Sequence, residues 1–240
     1  TSAVRGGPHH VNITASGTIL SFVAFAQART MRGDLNISAG AGMTMSTAAG
    51  GDLFIGGNWT RAATGTFTNN ARMVTFNGTT TNQTITVTGG GTETFGYMTI
   101  LKPDAFPNLI MAAAPNATNI NLVGNPAAAA DSYTLLITNG NLDLSQNTFN
   151  FTIAAASGFQ NNIRIDGNTA TGGTLVRTIN STGGQGVFSL YNNFDATKTT
   201  KIDRTSAIAA RRASLTFSTN VKVTVGANIV LPLAYGGIDF

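Results

Sequence analysis

Chemistry in a protein needs groups that share a proton, hold a metal or attack a carbon, and this chain offers few of them. His9 and His10 are its only histidines and stand together after Pro8. A metal or general-base role would need partners that the sequence does not set beside them; the pair reads as frayed, solvated side chains near a terminus. Cysteine is absent, which excludes thiol nucleophiles, thiolate metal sites and disulfides. Glu93 is the only glutamate, so a carboxylate pair for glycoside cleavage would have to draw on aspartates. Asp131, Asp143 and Asp166 are spaced by twelve and twenty-three residues. Stacked coils could bring them together; otherwise each reads as a turn residue.

Other signals for a ligand are equally thin. Gly89-Gly90-Gly91 and Gly183-Gly184-Gln185-Gly186 lack the Lys-Ser/Thr pair and the helix that a phosphate loop requires. Trp59 and the tyrosines Tyr97, Tyr133, Tyr191 and Tyr235 could form a sugar-stacking platform, but their scatter favours packing in the core or at an edge. No Asp-rich calcium loop is present. The sequence therefore assigns no catalytic, cofactor-binding or metal-binding residue, calls for no cofactor and reads as a non-enzyme.

The elements that would position any such group are strands. Short runs such as Leu35-Asn36-Ile37, Leu53-Phe54-Ile55, Met73–Phe76, Thr84–Val87 and Met98–Leu101 alternate apolar with polar residues. So do Leu135-Leu136-Ile137, Leu142-Asp143-Leu144, Phe149–Ile153, Ile163-Arg164-Ile165 and Val221–Val225. Alternation with period two marks a strand with one wet face. Asn77-Gly78, Asn139-Gly140 and Asp166-Gly167 fall between them and predict tight turns, because these residues accept positive φ. Helical signal is confined to Ala127–Ala130 after Pro126, too short to count. Ile19–Ala28 ends in Ala26-Gln27-Ala28, in the style of a signal-peptidase site, but reads better as a buried strand. The chain opens at Thr1 without Met, which suggests a processed product or a fragment.

Charge fits the same picture. Charged residues make up 10% of 240 and hydrophobic ones 42%, a balance too apolar for disorder. No apolar run reaches the length of a membrane-spanning helix. The net charge of +4 lies wholly in the last third, where Arg164, Arg177, Lys198, Lys201, Arg204, Arg211, Arg212 and Lys222 face only Asp166, Asp195, Asp203 and Asp239. Without interleaved aromatics this reads as a soluble face rather than a nucleic-acid site.

Segments also echo one another. Gly33-Asp34-Leu35-Asn36-Ile37 returns eighteen residues later as Gly51-Asp52-Leu53-Phe54-Ile55, and Val74–Gly78 is echoed by Ile163–Gly167. A shift of about twenty residues suits a β-solenoid coil. Stacked coils would also explain the Asn and Thr, aligned into hydrogen-bonded ladders. The expected fold is all-β, a right-handed parallel β-helix (β-solenoid), with a β-sandwich as the alternative. Residues 1–170 form the repeat region, and 171–240 continue it or form a small β module.

The run Gly51–Thr60, then Gly65-Thr66-Phe67, Val74–Thr79, Gln83-Thr84-Ile85 and Phe95–Ile100 resembles the Thr/Asn/Gly-rich repeats of large surface proteins of Bacteroidetes-type bacteria. Leu136–Ser145 with Asn147-Thr148-Phe149 is in the same style, so the resemblance covers roughly residues 30–170. It implies a right-handed parallel β-helix, export by the type IX system, and adhesion or surface architecture outside the cell. Val221–Phe240 does not match the sorting domain of such proteins. The expected partners are other modules of the same protein, surface or export components, glycans, or further copies of the chain; nucleic acid is not expected. The alternatives are a carbohydrate-binding or polysaccharide-cleaving β-helix, and a subunit of a filament, capsid or spike.

Overall fold

The structure, a computed structural model, describes residues 7–79, 81–102, 109–112, 115–126 and 134–143, and beyond them the strands at 149–151, 163–166, 173–177, 186–190, 200–205, 214–217, 221–225 and 229–230. Among these residues there is no helix, and so none long and apolar enough to cross a membrane.

The chain winds as a β-solenoid with three strands to a coil. The first coil is β1 (Val11–Ile13), β2 (Ile19–Ser21) and β3 (Arg29–Met31). The next is β4 (Leu35–Ile37), β5 (Gly42–Thr44) and β6 (Leu53–Ile55). Then come β7 (Trp59–Ala62), β8 (Thr66–Thr68) and β9 (Met73–Phe76), followed by β10 (Gln83–Thr88), β11 (Gly91–Phe95) and β12 (Tyr97–Leu101). β13 (Leu109–Met111), β14 (Thr118–Leu122) and the first half of β15 (Leu135–Asp143) repeat the order. The second half of β15 opens the coil that β16 (Phe149–Phe151) and β17 (Ile163–Asp166) complete. β18 (Gly173–Arg177), β19 (Gly186–Leu190) and β20 (Thr200–Thr205) follow, then β21 (Ser214–Phe217), β22 (Val221–Val225) and β23 (Ile229–Val230).

Each strand pairs with its counterpart one coil away, and every pairing is parallel. Face one stacks β1, β4, β7, β10, β13, β15, β18 and β21; face three stacks β3, β6, β9, β12, β15, β17, β20 and β23. Face two is divided: β2-β5-β8 form one sheet and β11-β14-β16-β19-β22 another. A sandwich would pair its strands antiparallel, with short hairpins. Parallel ladders throughout rule that alternative out.

Register sets the interior. Val11 lies opposite Leu35 and Leu35 opposite Trp59, a step of 24 residues, which grows to 26 between Asn58 and Thr84. Because side chains alternate across a strand, whole columns turn inward together. Leu53, Val74, Met98 and Leu135 form one such column, and Ile55, Phe76 and Ile100 another, all with no exposed surface. Burial of each is worth roughly 1.5–3 kcal/mol. Trp59 packs edge-on against Phe67 at 4.7 Å and Phe95 at 5.0 Å between ring centroids, and Phe76 reaches Phe95 at 6.0 Å.

Three readings of the sequence need correction. The eighteen-residue echo does not link coil to coil: Leu35 lies on face one and Leu53 on face three of the same coil. What recurs is the Gly-Asp corner that leads into a strand. Val74 and Ile163, by contrast, do share face three. Asn139-Gly140 is no tight turn, because β15 runs through it, leaving β12 on face three for β13 and β18 on face one. Its register slips by one residue opposite Ile100 and Leu101, so a bulge at a flexible dipeptide takes the place of a corner loop. Finally, Ile19–Ala28 is not a buried strand. Only Ile19–Ser21 is extended, and Val23 through Ala28 are exposed. Ala127–Ala130 and Gly167 lie outside the described residues.

Two glycines on the corner between faces three and one owe their identity to close stacking. A Cβ on Gly56 would collide with the Arg32 carbonyl oxygen, and one on Gly78 with that of Gly56.

Candidate functional site

The described residues among those singled out for chemistry do not converge. His9 and His10 are exposed and contact each other edge-on, 4.3 Å between centroids. His10 is more firmly held than a frayed residue, since its Nδ1 accepts the Asp34 amide at 3.0 Å. Asp143 and Asp166 sit on different faces, opposite Val176 on face one and Thr205 on face three. Asp131 lies outside the described residues, as do Tyr133, Tyr191 and Tyr235. Tyr97 is half-buried; burial pushes its hydroxyl up to about 12, Asp52 adds to the shift and Arg72 opposes it. Trp59 is entirely interior, a core residue and not a platform for sugars. Gly89-Gly90-Gly91 makes the positive-φ turn between β10 and β11, with no helix behind it. No cluster of three metal-binding side chains occurs among the described residues.

Glu93, which the sequence left without a partner, has one inside the solenoid. Its Oε2 accepts from Arg61 Nε and from Trp59 Nε1, each at 2.8 Å, and its Oε1 accepts the Thr94 amide at 3.1 Å. Burial pushes the carboxyl up, while the Arg61 charge and these hydrogen bonds pull it back. Arg61 meets backbone oxygen with its remaining donors: Nη1 donates to Gly65 O at 2.8 Å and Nη2 to Thr92 O at 3.0 Å. Gly65 precedes β8 and Thr92 lies in β11, the two strands between which face two is divided. The guanidinium therefore bridges the gap where strand-to-strand bonds are missing. A buried pair with every group answered avoids the cost of an orphaned charge.

A second interior cation has no acid beside it among the described residues. Lys102, 1% exposed, donates to the Gln83 side-chain oxygen and approaches Gly78 O at 3.5 Å. Gln83 also accepts the Gly78 amide at 2.9 Å and donates to the carbonyls of Ile55 and Gly57. Gln83 thus fills the hollow that Gly56 and Gly78 leave at the corner. Burial alone lowers the Lys102 ammonium to about 8.

The outer surface of face one carries the most regular polar array. Asn12, Asn36, Thr60 and Thr86 follow one another in register, and Asn36 Nδ2 donates to Asn12 Oδ1 at 2.7 Å. Beside them a chain of side chain–backbone bonds climbs coil by coil. His10 Nδ1 accepts the amide of Asp34, Asp34 Oδ1 that of Asn58 at 2.6 Å, and Asn58 Oδ1 that of Thr84 at 2.9 Å. Each side chain holds the next coil at its start, so the array is both a surface and a clamp.

Comparison with protein-family models, with curated proteins and with solved structures gives no match.

Proposed function

We propose that the chain is a structural and adhesive β-solenoid module of an exported protein, working at the outer cell surface. The observation that carries this reading is the outer face of β1, β4, β7 and β10. It presents Asn12, Asn36, Thr60 and Thr86 at a fixed strand spacing of about 4.8 Å. Short neutral donors and acceptors on a rigid backbone suit repeated weak contacts with a polar surface, where many sites together give avidity. The low charge of the chain and its resemblance to Thr/Asn/Gly-rich surface repeats support the same reading, with export by the type IX system as the implied route.

Retention of the folded chain on immobilised polysaccharides and on a glycan array tests it, with a reducing-end assay alongside. The expected result is retention without release of reducing ends, lost when Asn36→Lys and Thr60→Lys are combined. Retention that ignores those substitutions would move adhesion elsewhere, and catalysed release of reducing ends would replace the reading with a polysaccharide-cleaving one.

A further inference from the structure

Three residues follow the strands of face three in equivalent corner positions, one to a coil. Arg32 follows β3, Gly56 follows β6 and Asn77 follows β9. Their amides continue the ladder: Arg32 donates to Pro8 O at 2.9 Å, Gly56 to Met31 O at 2.8 Å and Asn77 to Ile55 O at 2.9 Å. The middle position carries no side chain, because a Cβ there would meet the Arg32 carbonyl oxygen. The backbones of Arg32 and Asn77 thus stand two strand spacings apart, about 9.6 Å, with bare backbone between them. A recess of about 370 Å³ opens at this place, lined by Thr30, Arg32, Gly56, Asn77, Gly78 and Thr79. Its size falls at the lower end of small-ligand sites, roughly 300–1,000 Å³.

The polar groups around the recess are not spent on the fold. Arg32 is exposed, and its side chain is held through Nε, which donates to Gly7 O at 3.3 Å. Among the described residues its Nη1 and Nη2 have no acceptor, and the side chains of Thr30, Asn77 and Thr79 have no hydrogen-bond partner. No acid is among the lining residues. Asp34, two residues beyond Arg32, is committed to face one, where Oδ1 accepts the Asn58 amide at 2.6 Å and Oδ2 lies 3.3 Å from His10 Nδ1. The recess therefore carries a positive charge that its own lining does not answer. An aromatic ring borders it. Leu53 and Ile55 are interior, so alternation turns Phe54 outward, half-buried and beside Thr30 in register.

A guanidinium fork, hydroxyls and an amide beside an aromatic face are the groups that hold an acidic sugar. The fork takes a carboxylate with two parallel hydrogen bonds. Hydroxyl and amide groups answer ring hydroxyls, and an aromatic side chain offers an apolar face to the sugar ring. We propose that this recess binds a uronate unit of a polysaccharide, with Arg32 on its carboxylate, Asn77 and Thr79 on its hydroxyls and Phe54 against its ring. A peptide carboxylate would engage Arg32 and leave the hydroxyls and Phe54 without a role. The site goes beyond the adhesive reading, which rests on the neutral array of face one, and either can fail without the other.

Amide-resolved NMR titration of the full chain with methyl glucuronide tests it, with methyl glucoside and tetraglutamate titrated alongside. The expected result is saturable shifts at the amides of Arg32, Gly56, Asn77 and Gly78 with the glucuronide, and binding about tenfold weaker for the glucoside. Arg32→Gln should bring the two sugars to equal affinity while the strand spectrum in circular dichroism is kept. Thr79→Asp, at an exposed position, sets a like charge against the carboxylate. It should weaken the glucuronide several-fold and spare the glucoside, and it decides the matter if Arg32→Gln unfolds. Absence of saturable shifts at these amides overturns the proposal, and so does a preference for glucuronide that survives either substitution in a folded chain. Equal affinity of the unaltered chain for both sugars overturns the acidic assignment, and tighter binding of tetraglutamate overturns the sugar. Shifts confined to Asn36 and Thr60 would put sugar binding on face one and overturn the recess alone.

Discussion

A charge inside a β-solenoid has to be answered by the coils around it, and the two interior cations among the described residues are answered differently. Arg61 has Glu93, Trp59 beside that carboxylate, and two carbonyls that lack a strand partner. Glu93→Gln keeps the shape and removes the charge, leaving a buried guanidinium uncompensated; chemical denaturation should register a loss of about 3–5 kcal/mol. In a double-mutant cycle with Arg61→Met the two losses should add to more than the double variant shows, as expected for groups in direct contact. Lys102 has, among the described residues, carbonyl oxygens for partners, and a folded-state ammonium at about 8 against an ordinary 10.5. Below about 8 both folded and unfolded chains hold the proton, and the folded chain bears the full cost of burying it. Between 8 and 10.5 the unfolded chain binds more protons, so stability rises with pH; above 10.5 the cost is gone. The rise should be on the order of 2 kcal/mol and should vanish in Lys102→Met, which should also be the more stable protein at pH 7. Urea unfolding of both proteins at pH 7, 9 and 10.5 checks the sign and the difference.

At the scale of the strand, stability is shared between coils. Phe76 lies in β9 between Ile55 on β6 and Ile100 on β12, and its ring meets Phe95 from face two. Truncating it to Ala removes a contact from each neighbour, and a rigid stack cannot collapse to fill the space. The expected loss is about 3–5 kcal/mol, measured by thermal or urea unfolding. Thr88→Ala, exposed at the end of β10, should change stability by less than about 0.5 kcal/mol. Equal effects at the two positions would contradict columns shared across coils.

For the whole molecule, repetition replaces the disulfides and long-range charge networks that the composition lacks. Each coil touches mainly the next, so unfolding should propagate along the axis as in other repeat proteins. Far-ultraviolet circular dichroism should show strand and turn with under about one-fifth helix. A larger helical signal would contradict the ladders directly.

The sequence by itself determined the class of structure. Period-two runs such as Leu53-Phe54-Ile55 and Thr84-Ile85-Thr86-Val87 can bury one side only as strands, and Asn and Gly between them favour corners, as at Asn77-Gly78, though Asn139-Gly140 lies inside β15. It even held the clue to the interior arginine: in Trp59-Thr60-Arg61 the same alternation that buries Trp59 also turns Arg61 inward. What it could not hold was which strand lies beside which. An echo of eighteen residues looks the same whether it joins two coils or two faces of one coil, because the corner chemistry is common to both. The partner of Glu93 lies 32 residues away on another face, a distance that no local pattern encodes. Lys102 and Gln83 likewise meet only because two glycines stack and leave a hollow at the corner. Local propensity chooses strand and turn, and the register of the stacked coils then decides which side chains meet.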